Sequence, residues 1–335
     1  MAEAAGPTLV TGATGFVGSA VARALAARGH RLRLLARASS SRANLEGLAD
    51  AEIVVGDLTE PASLARAAAG CASVFHVAAD YRIWVPDPSA MLRANVDGTV
   101  AMIRAAQAAG AARIVYCSSV AALGVSADGT PADEATPVAP ESIIGPYKRS
   151  KYEAEQAARA LAAQGAPVVI VNPAAPVGPR DIKPTPTGKM VLDAAAGRMP
   201  AYIETGLNVV HVDDVAEGHV LAAERGRIGE SYILGGENLR LQELLTLIAS
   251  EAGRRPPSIR VNTELVWPLA TVMEALARIV PFEPPFTRDH LRMARKLMFY
   301  SAAKAERELG YRARPAREAV LDAIAWFRAT GRLRA

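Results

Sequence analysis

Residues 8 to 37, TLVTGATGFVGSAVARALAARGHRLRLLAR, constrain this chain more than any other stretch. They read as a short apolar strand, a glycine turn, an amphipathic helix closed by Gly29, and a second strand. The helix carries Phe16, Val17, Ala20, Val21, Ala24 and Leu25 at helical spacing, which suits burial against a sheet. Gly12, Gly15 and Gly18 punctuate the turn. Glycines there allow a tight turn, a backbone close to a pyrophosphate on the helix N-terminus, and close helix-to-strand packing. Their spacing of three and three differs from the commonest dinucleotide fingerprint, G-x-G-x-x-G, and a purely structural turn explains many glycine triplets. The strand, turn, helix and strand context selects the dinucleotide reading, with Thr14, Phe16 and Val17 as further cofactor contacts.

A second constellation supplies chemistry. Tyr147 and Lys151, in GPYKRSKYEAE, stand four residues apart on a predicted helix and so share a face. An ammonium beside a phenol, and the positive end of the helix dipole after Pro146, would both lower the tyrosine pKa. Tyr147 would then serve as an acid or base near neutral pH. The plainer alternative is a surface helix with a solvated lysine. The strand-like run RIVYCSS delivers Ser118 and Ser119, and a hydroxyl beside the tyrosine can hold a substrate oxygen without changing charge. Either serine could instead bond its own backbone.

The spaced glycines, the serine pair and the Tyr147/Lys151 pair, in that order, resemble the extended short-chain dehydrogenase/reductase family over nearly the whole chain. The segments NPAAPVGPRDIKPTPTGKM, YIETGLNVVHVDDVAEGHVLA and GESYILGGENL are most similar to hopanoid-associated sugar epimerases, a bacterial group close to dihydroflavonol reductases. The resemblance implies hydride transfer between a nicotinamide cofactor and a secondary alcohol or ketone. Tyr147 would be the acid/base, and Lys151 would lower its pKa and hold the nicotinamide ribose. Ser119 would face the reacting carbonyl and Ser118 the nicotinamide. It also implies that Asp57 and Leu58 lie beside the adenine, that Asn95 works near the lysine, and that Asn172 and Pro173 pass over the nicotinamide carboxamide. Each has an alternative: Asp57 and Asn95 as helix caps, and the whole chain as a non-catalytic sensor, which would have no need of Ser119, Tyr147 and Lys151 together.

At the end of the second strand, where an NAD-specific fold usually carries an acid, stand Ala36 and Arg37. A guanidinium matches phosphate geometry, so Arg37, with Ser39, Ser40 and Arg42, would clamp a 2′-phosphate. NADP(H) is expected over NAD(H), and a solvent-facing arginine is the alternative. Ala78 and Ala79, after the run SVFHV, offer a small rim for the cofactor, while His76 within that run reads as a core residue with satisfied nitrogens.

Sugar-nucleotide epimerases carry an arginine before the proline of NP and a tyrosine in the turn after it. Asn172 and Ala175 to Val177 stand here instead, and no fixed cation for a nucleotide diphosphate is evident. Tyr81 and Trp84, as substrate contacts, and Trp267 and Phe286 would build apolar walls for a lipid-linked or polycyclic substrate.

Half of the 335 residues are hydrophobic and the net charge is only +4, which allows a large core and suggests no nucleic-acid partner. Cys71 and Cys117 offer neither metal spacing nor a disulfide framework, and no leader is evident, so a cytoplasmic protein is expected. LVWPLATVMEALARIVPF is too interrupted to span a bilayer, although it could line a greasy pocket or touch a membrane surface peripherally. A homodimer is compatible with the sequence. Seven βα-like units predict an α/β, doubly wound parallel sheet, a Rossmann domain over 1–177 with a return at 207–236, and a smaller substrate domain within 178–335.

Overall fold

The computed structural model describes residues 6–82, 85, 87–277, 288–293 and 296–334. Its first half alternates strand and helix: β1 (Thr8–Thr11), α1 (Phe16–Ala26), β2 (Leu32–Ala36), β3 (Glu52–Val55), α2 (Pro61–Ala68) and β4 (Ser73–His76). Then come α3 (Ser89–Leu92), α4 (Gly98–Ala108), β5 (Arg113–Cys117), α5 (Gly145–Ala163), β6 (Val168–Pro173), β7 (Ala175–Val177) and α6 (Pro186–Ala195). Next are β8 (Ala201–Tyr202), β9 (Gly206–His211), α7 (Val212–Arg225), β10 (Ser231–Leu234), β11 (Glu237–Arg240) and α8 (Leu241–Glu251). The described chain closes with β12 (Ile259–Arg260), α9 (Thr263–Ala277), α10 (Arg288–Met293), β13 (Leu297–Met298), α11 (Ala303–Leu309) and α12 (Ala316–Ala329).

Seven strands form one sheet in the order β10-β6-β5-β4-β1-β2-β3, every pair parallel. Parallel strands covered on both faces need continuous apolar runs rather than alternation. The buried stretches TLVT and VVIVNP meet that need. One face packs a core that includes Val10, Phe16, Val21, Val171 and Val220; the other packs Leu64, Met102, Ile103, Ala154 and Ala158. The strand order reverses between β1 and β4, and crevices at such a switch point are where doubly wound sheets bind ligands.

Of the expected return at 207–236, only Ser231–Leu234 enters this sheet, beside β6. Gly206–His211 instead pairs with β7, β11 and β13 in a smaller sheet. A third core, with Val191, Val209, Leu244, Ile248, Ile324 and Phe327, joins that sheet to α6, α8 and α12. Trp84 and Phe286 lie outside the described residues. Trp267 lies in α9, with Arg292 5.6 Å from its ring centroid. That helix exposes Leu269, Val272 and Leu276. Among the described residues no helix is long and apolar enough to cross a membrane.

Candidate active site

The glycine turn leaves β1 at the switch point. Gly12 has φ +75°, and a Cβ there would lie 2.7 Å from the Ala78 nitrogen that follows β4. A Cβ on Gly18 would come within 2.1 Å of the Gly12 carbonyl oxygen. The backbone of β1, α1 and the Ala78 strand end therefore meets at distances that admit no side chain. Helix α1 has no side-chain cap and no acidic residue in its first turn, so its positive end stays open to an anion. These features fit a dinucleotide pyrophosphate. Ala79 and Thr14 are half-buried beside this turn, and Phe16 and Val17 pack into the core below it. Asn44, which sequence reasoning missed, pins the turn by donating to the carbonyls of Thr14 at 3.2 Å and Gly15 at 3.3 Å. It comes from a loop thirty positions downstream, so no local pattern marks it.

Around the end of β2, Arg37 is exposed, and its guanidinium has no hydrogen-bond or ion-pair partner among the described residues. Arg42 reaches its carbonyl at 3.4 Å. Asp57 lies beyond β3, where its Oδ1 accepts from the Thr59 N–H and hydroxyl at 2.9 and 2.7 Å. These bonds first, and the charge of Arg37 last, hold its carboxyl below the usual range despite partial burial. Asp57 does not cap α2, whose N-cap is Glu60. Leu58 packs against Gly98 at the start of α4.

His76 is fully buried, with Nδ1 2.9 Å from the Thr11 hydroxyl and Nε2 3.1 Å from that of Thr99. Burial first, then the charge of Lys151, drives its pKa down to about 3. It is a satisfied core histidine. Asn95 caps nothing. It exchanges two hydrogen bonds with the backbone of Asp80, at 2.7 and 2.8 Å, and donates to Ser150 at 2.9 Å, tying the loop after β4 to the catalytic-helix candidate α5. Tyr81, next to Asp80, is 41% exposed.

The structure brings Ser119 and Tyr147 together, with Lys151 one helical turn further along α5. Helix α5 begins at Gly145, with Pro146 second and Tyr147 third. The Ser119 hydroxyl faces the Tyr147 phenol and favours its ionised form, but burial outweighs that bond and pushes the phenol up to about 12. The expectation that Lys151 lowers this pKa is therefore corrected. Lys151 is buried, and its ammonium donates to the Cys117 carbonyl at 2.9 Å, 5.3 Å from the Tyr116 ring centroid, rather than neutralising the phenol.

Ser118 and Asn172 turn their side chains into one buried network. The Ser118 hydroxyl is buried and donates to Glu155 at 2.7 Å. The Asn172 side chain is wholly buried in β6. Its amide donates to Glu155 at 2.7 Å and to the Ser119 carbonyl at 3.1 Å. Pro173 follows it, buried in register with Leu234. Glu155, also missed, is the hub: its other oxygen takes Arg159 at 2.7 Å, and Arg159 reaches Ser231 at 2.7 Å. The signal was present, since Tyr147, Lys151 and Glu155 recur at i, i+4 and i+8 along one stripe.

The turn after β1 thus admits no side chain, and beyond β5 a hydroxyl faces a buried phenol with a buried ammonium one helical turn further along α5. Residues 8–235 match the model of the NAD dependent epimerase/dehydratase family, and the chain belongs to it. It is an NAD(P)-dependent oxidoreductase or epimerase. The chain is similar to gox2253, whose crystal structure aligns with TM-score 0.88 and 60% identity over 98% of this chain and 99% of that one. It is also similar to a dihydroflavonol 4-reductase-like protein of Synechocystis sp., at 44% identity over 96% of this chain and 94% of the relative. Sterol demethylase protein B of Methylococcus capsulatus is 35% identical over 97% of this chain and 99% of the relative.

Proposed function

We propose that the protein transfers hydride between NADP(H) and a secondary alcohol or ketone on a largely apolar, lipid-linked or polycyclic molecule, with a role in hopanoid lipid synthesis. The observation that carries the chemistry is the Ser119 hydroxyl facing the Tyr147 phenol in the first turn of α5. Bound on the glycine turn, the nicotinamide dinucleotide supplies or accepts the hydride. The phenol gives its proton to the substrate oxygen in reduction and takes it back in oxidation. Ser119 holds that oxygen in line, while the 3.1 Å bond from Asn172 to its carbonyl keeps the serine backbone in place. Lys151, held by the Cys117 carbonyl, stands ready to bond a cofactor ribose and to lend its charge to the phenolate. The guanidinium of Arg37, unbonded among the described residues, and the neighbouring Arg42 support a 2′-phosphate, hence NADP(H). Asn172 and the Ala175–Val177 segment of β7, together with relatives named for dihydroflavonol and sterol chemistry, support a polycyclic substrate over a sugar nucleotide.

Reduction and epimerisation call on the same residues, and deuterium separates them. Incubation with deuterated NADPH and a polycyclic ketone should give a labelled alcohol with consumption of cofactor. Tyr147→Phe should cut turnover by about 10²–10⁴-fold, the range for a positioned acid/base, with cofactor affinity retained. Activity close to that of the unaltered protein in this variant would remove the assigned role.

A further inference from the structure

One buried titratable group takes no part in the mechanism, and the hydrogen bonds around it run in a fixed direction. His76 ends β4 and is buried together with Thr11, Asn95, Thr99 and Ser150. The Thr11 hydroxyl accepts the N–H groups of Val77 and Ala78, each at 3.1 Å. Both of its lone pairs are then taken, so its one proton goes to His76 Nδ1 at 2.9 Å. On the other side of the ring, the Thr99 hydroxyl gives its proton to the Asn95 carbonyl at 2.6 Å and so accepts from His76 Nε2. Two hydroxyls thereby fix the tautomer, with the ring proton on Nε2. The Tyr116 ring stacks on the imidazole at 5.7 Å and has the Lys151 ammonium 5.3 Å from its centroid. Burial first, and then that ammonium, keeps the imidazole neutral.

The chain of bonds extends beyond the ring at both ends. Thr11 directly precedes Gly12, and the Ala78 nitrogen is the atom that a Gly12 Cβ would meet, so the Thr11 hydroxyl staples the two strand ends bordering the cofactor turn. At the other end, Asn95 belongs to a single π-helical turn, Arg93–Asp97, a feature found mostly at functional sites. Its side chain donates to Ser150, and the Ser150 hydroxyl donates to the Tyr147 carbonyl at 2.8 Å. Both ring nitrogens and both threonine hydroxyls are satisfied, and a fully satisfied buried network is rigid. We propose that His76, as the Nε2–H tautomer, is a positioning residue that holds the cofactor turn and the start of α5 in one alignment, so that hydride and proton reach the same carbonyl. Wholly buried, it acts only through Thr11 and Thr99. This rests on the assignment of Tyr147 as acid/base.

Two measurements need no substrate. NMR of the full chain with ¹⁵N-labelled histidine should show His76 as the neutral Nε2–H tautomer throughout about pH 5 to 8, where an ordinary imidazole titrates. A proton on Nδ1 would overturn the proposal. Thr11→Val leaves two buried N–H groups beside the cofactor turn unpaired and should weaken NADPH about tenfold or more in a fluorescence titration; unchanged affinity in the folded variant would also overturn it. The third measurement is turnover of a polycyclic ketone. Thr99→Val removes a hydroxyl at nearly constant volume and leaves the Thr11 side of the ring intact. NADPH affinity should then stay within about twofold while kcat falls about ten- to a hundredfold, the scale of misplaced reacting groups. Thr99→Ser keeps the hydroxyl and should restore most of the rate. Should Thr99→Val fail to fold, His76→Asn, whose shorter amide can meet Thr11 but not Thr99, gives the same readout. Unchanged kcat in the folded Thr99→Val enzyme would reduce His76 to support of the core and leave the Tyr147 assignment standing. An active Tyr147→Phe enzyme removes that assignment without moving the imidazole proton.

Discussion

Helices α1 and α5 both begin without a side-chain cap, but their surroundings are unlike. At α1 the neighbours are backbone: the Gly12 carbonyl, the Gly18 Cα and the Ala78 nitrogen. At α5 they are side chains from other elements, Ser118 just after β5, Asn172 in β6 and Asn95 just before α4, bonding to Glu155 and Ser150 of the helix. A site made of backbone needs only small residues at fixed intervals, which one local segment supplies. A site made of side chains depends on which partner each polar group finds after folding, and the same serine can serve substrate or core.

The sharpest break of that comparison is Gly18→Ala. Its methyl would meet the Gly12 carbonyl oxygen at 2.1 Å, so the turn must shift. Overpacking of this kind costs about 1–3 kcal/mol in general, and the shift also spoils the pyrophosphate cradle. Cofactor affinity measured by fluorescence titration should fall by about a hundredfold or more. An alanine variant that binds cofactor as before would mean that the backbone does not make this site.

Glu155→Gln tests the side-chain half. The amide cannot accept from Ser118, Asn172 and Arg159 as the carboxylate does. Breaking a buried pair costs roughly 3–5 kcal/mol. Because Arg159 is one-third exposed, a loss of about 2–4 kcal/mol in urea unfolding is expected. A change under about 0.5 kcal/mol, the scale of an inconsequential surface substitution, would show that the network does not hold α5 against β5 and β6.

Arg37→Ala carries the comparison to the cofactor's far end. Loss of a charge-assisted bidentate contact, worth roughly 1.5–3 kcal/mol, should weaken NADPH about ten- to a hundredfold and leave NADH nearly unchanged. Equal affinities of the unaltered protein for the two cofactors by calorimetry would end the NADP(H) assignment.

The smallest effect is spectroscopic. With the Tyr147 pKa at about 12, the phenol should stay protonated in the cofactor-free protein at pH 10, where an ordinary tyrosine is half-ionised. Between pH 10 and 12 the folded state holds a proton that the unfolded state has lost, so stability falls as pH rises. Ultraviolet titration should show one fewer late-ionising tyrosine in Tyr147→Phe. A difference spectrum with a midpoint near neutral pH would instead restore the expectation that Lys151 lowers the pKa unaided.

By itself the sequence determined the parallel sheet, the glycine turn, the core role of His76 and the meeting of Ser119 with Tyr147 one helical turn from Lys151. These follow from periodicity, from φ and space that glycine alone permits, and from residues four apart on a helix, all local rules. Tertiary structure decided the rest. It placed Gly206–His211 in the smaller sheet, because β7 and β11 lie beside it. It turned Ser118 and Asn172 toward Glu155, and let Asn44 pin a turn thirty residues away. It raised the Tyr147 pKa where an adjacent lysine suggested a fall. Hydrogen-bond partners and desolvation are properties of what surrounds a group after folding, and the chain order of the residues does not contain them.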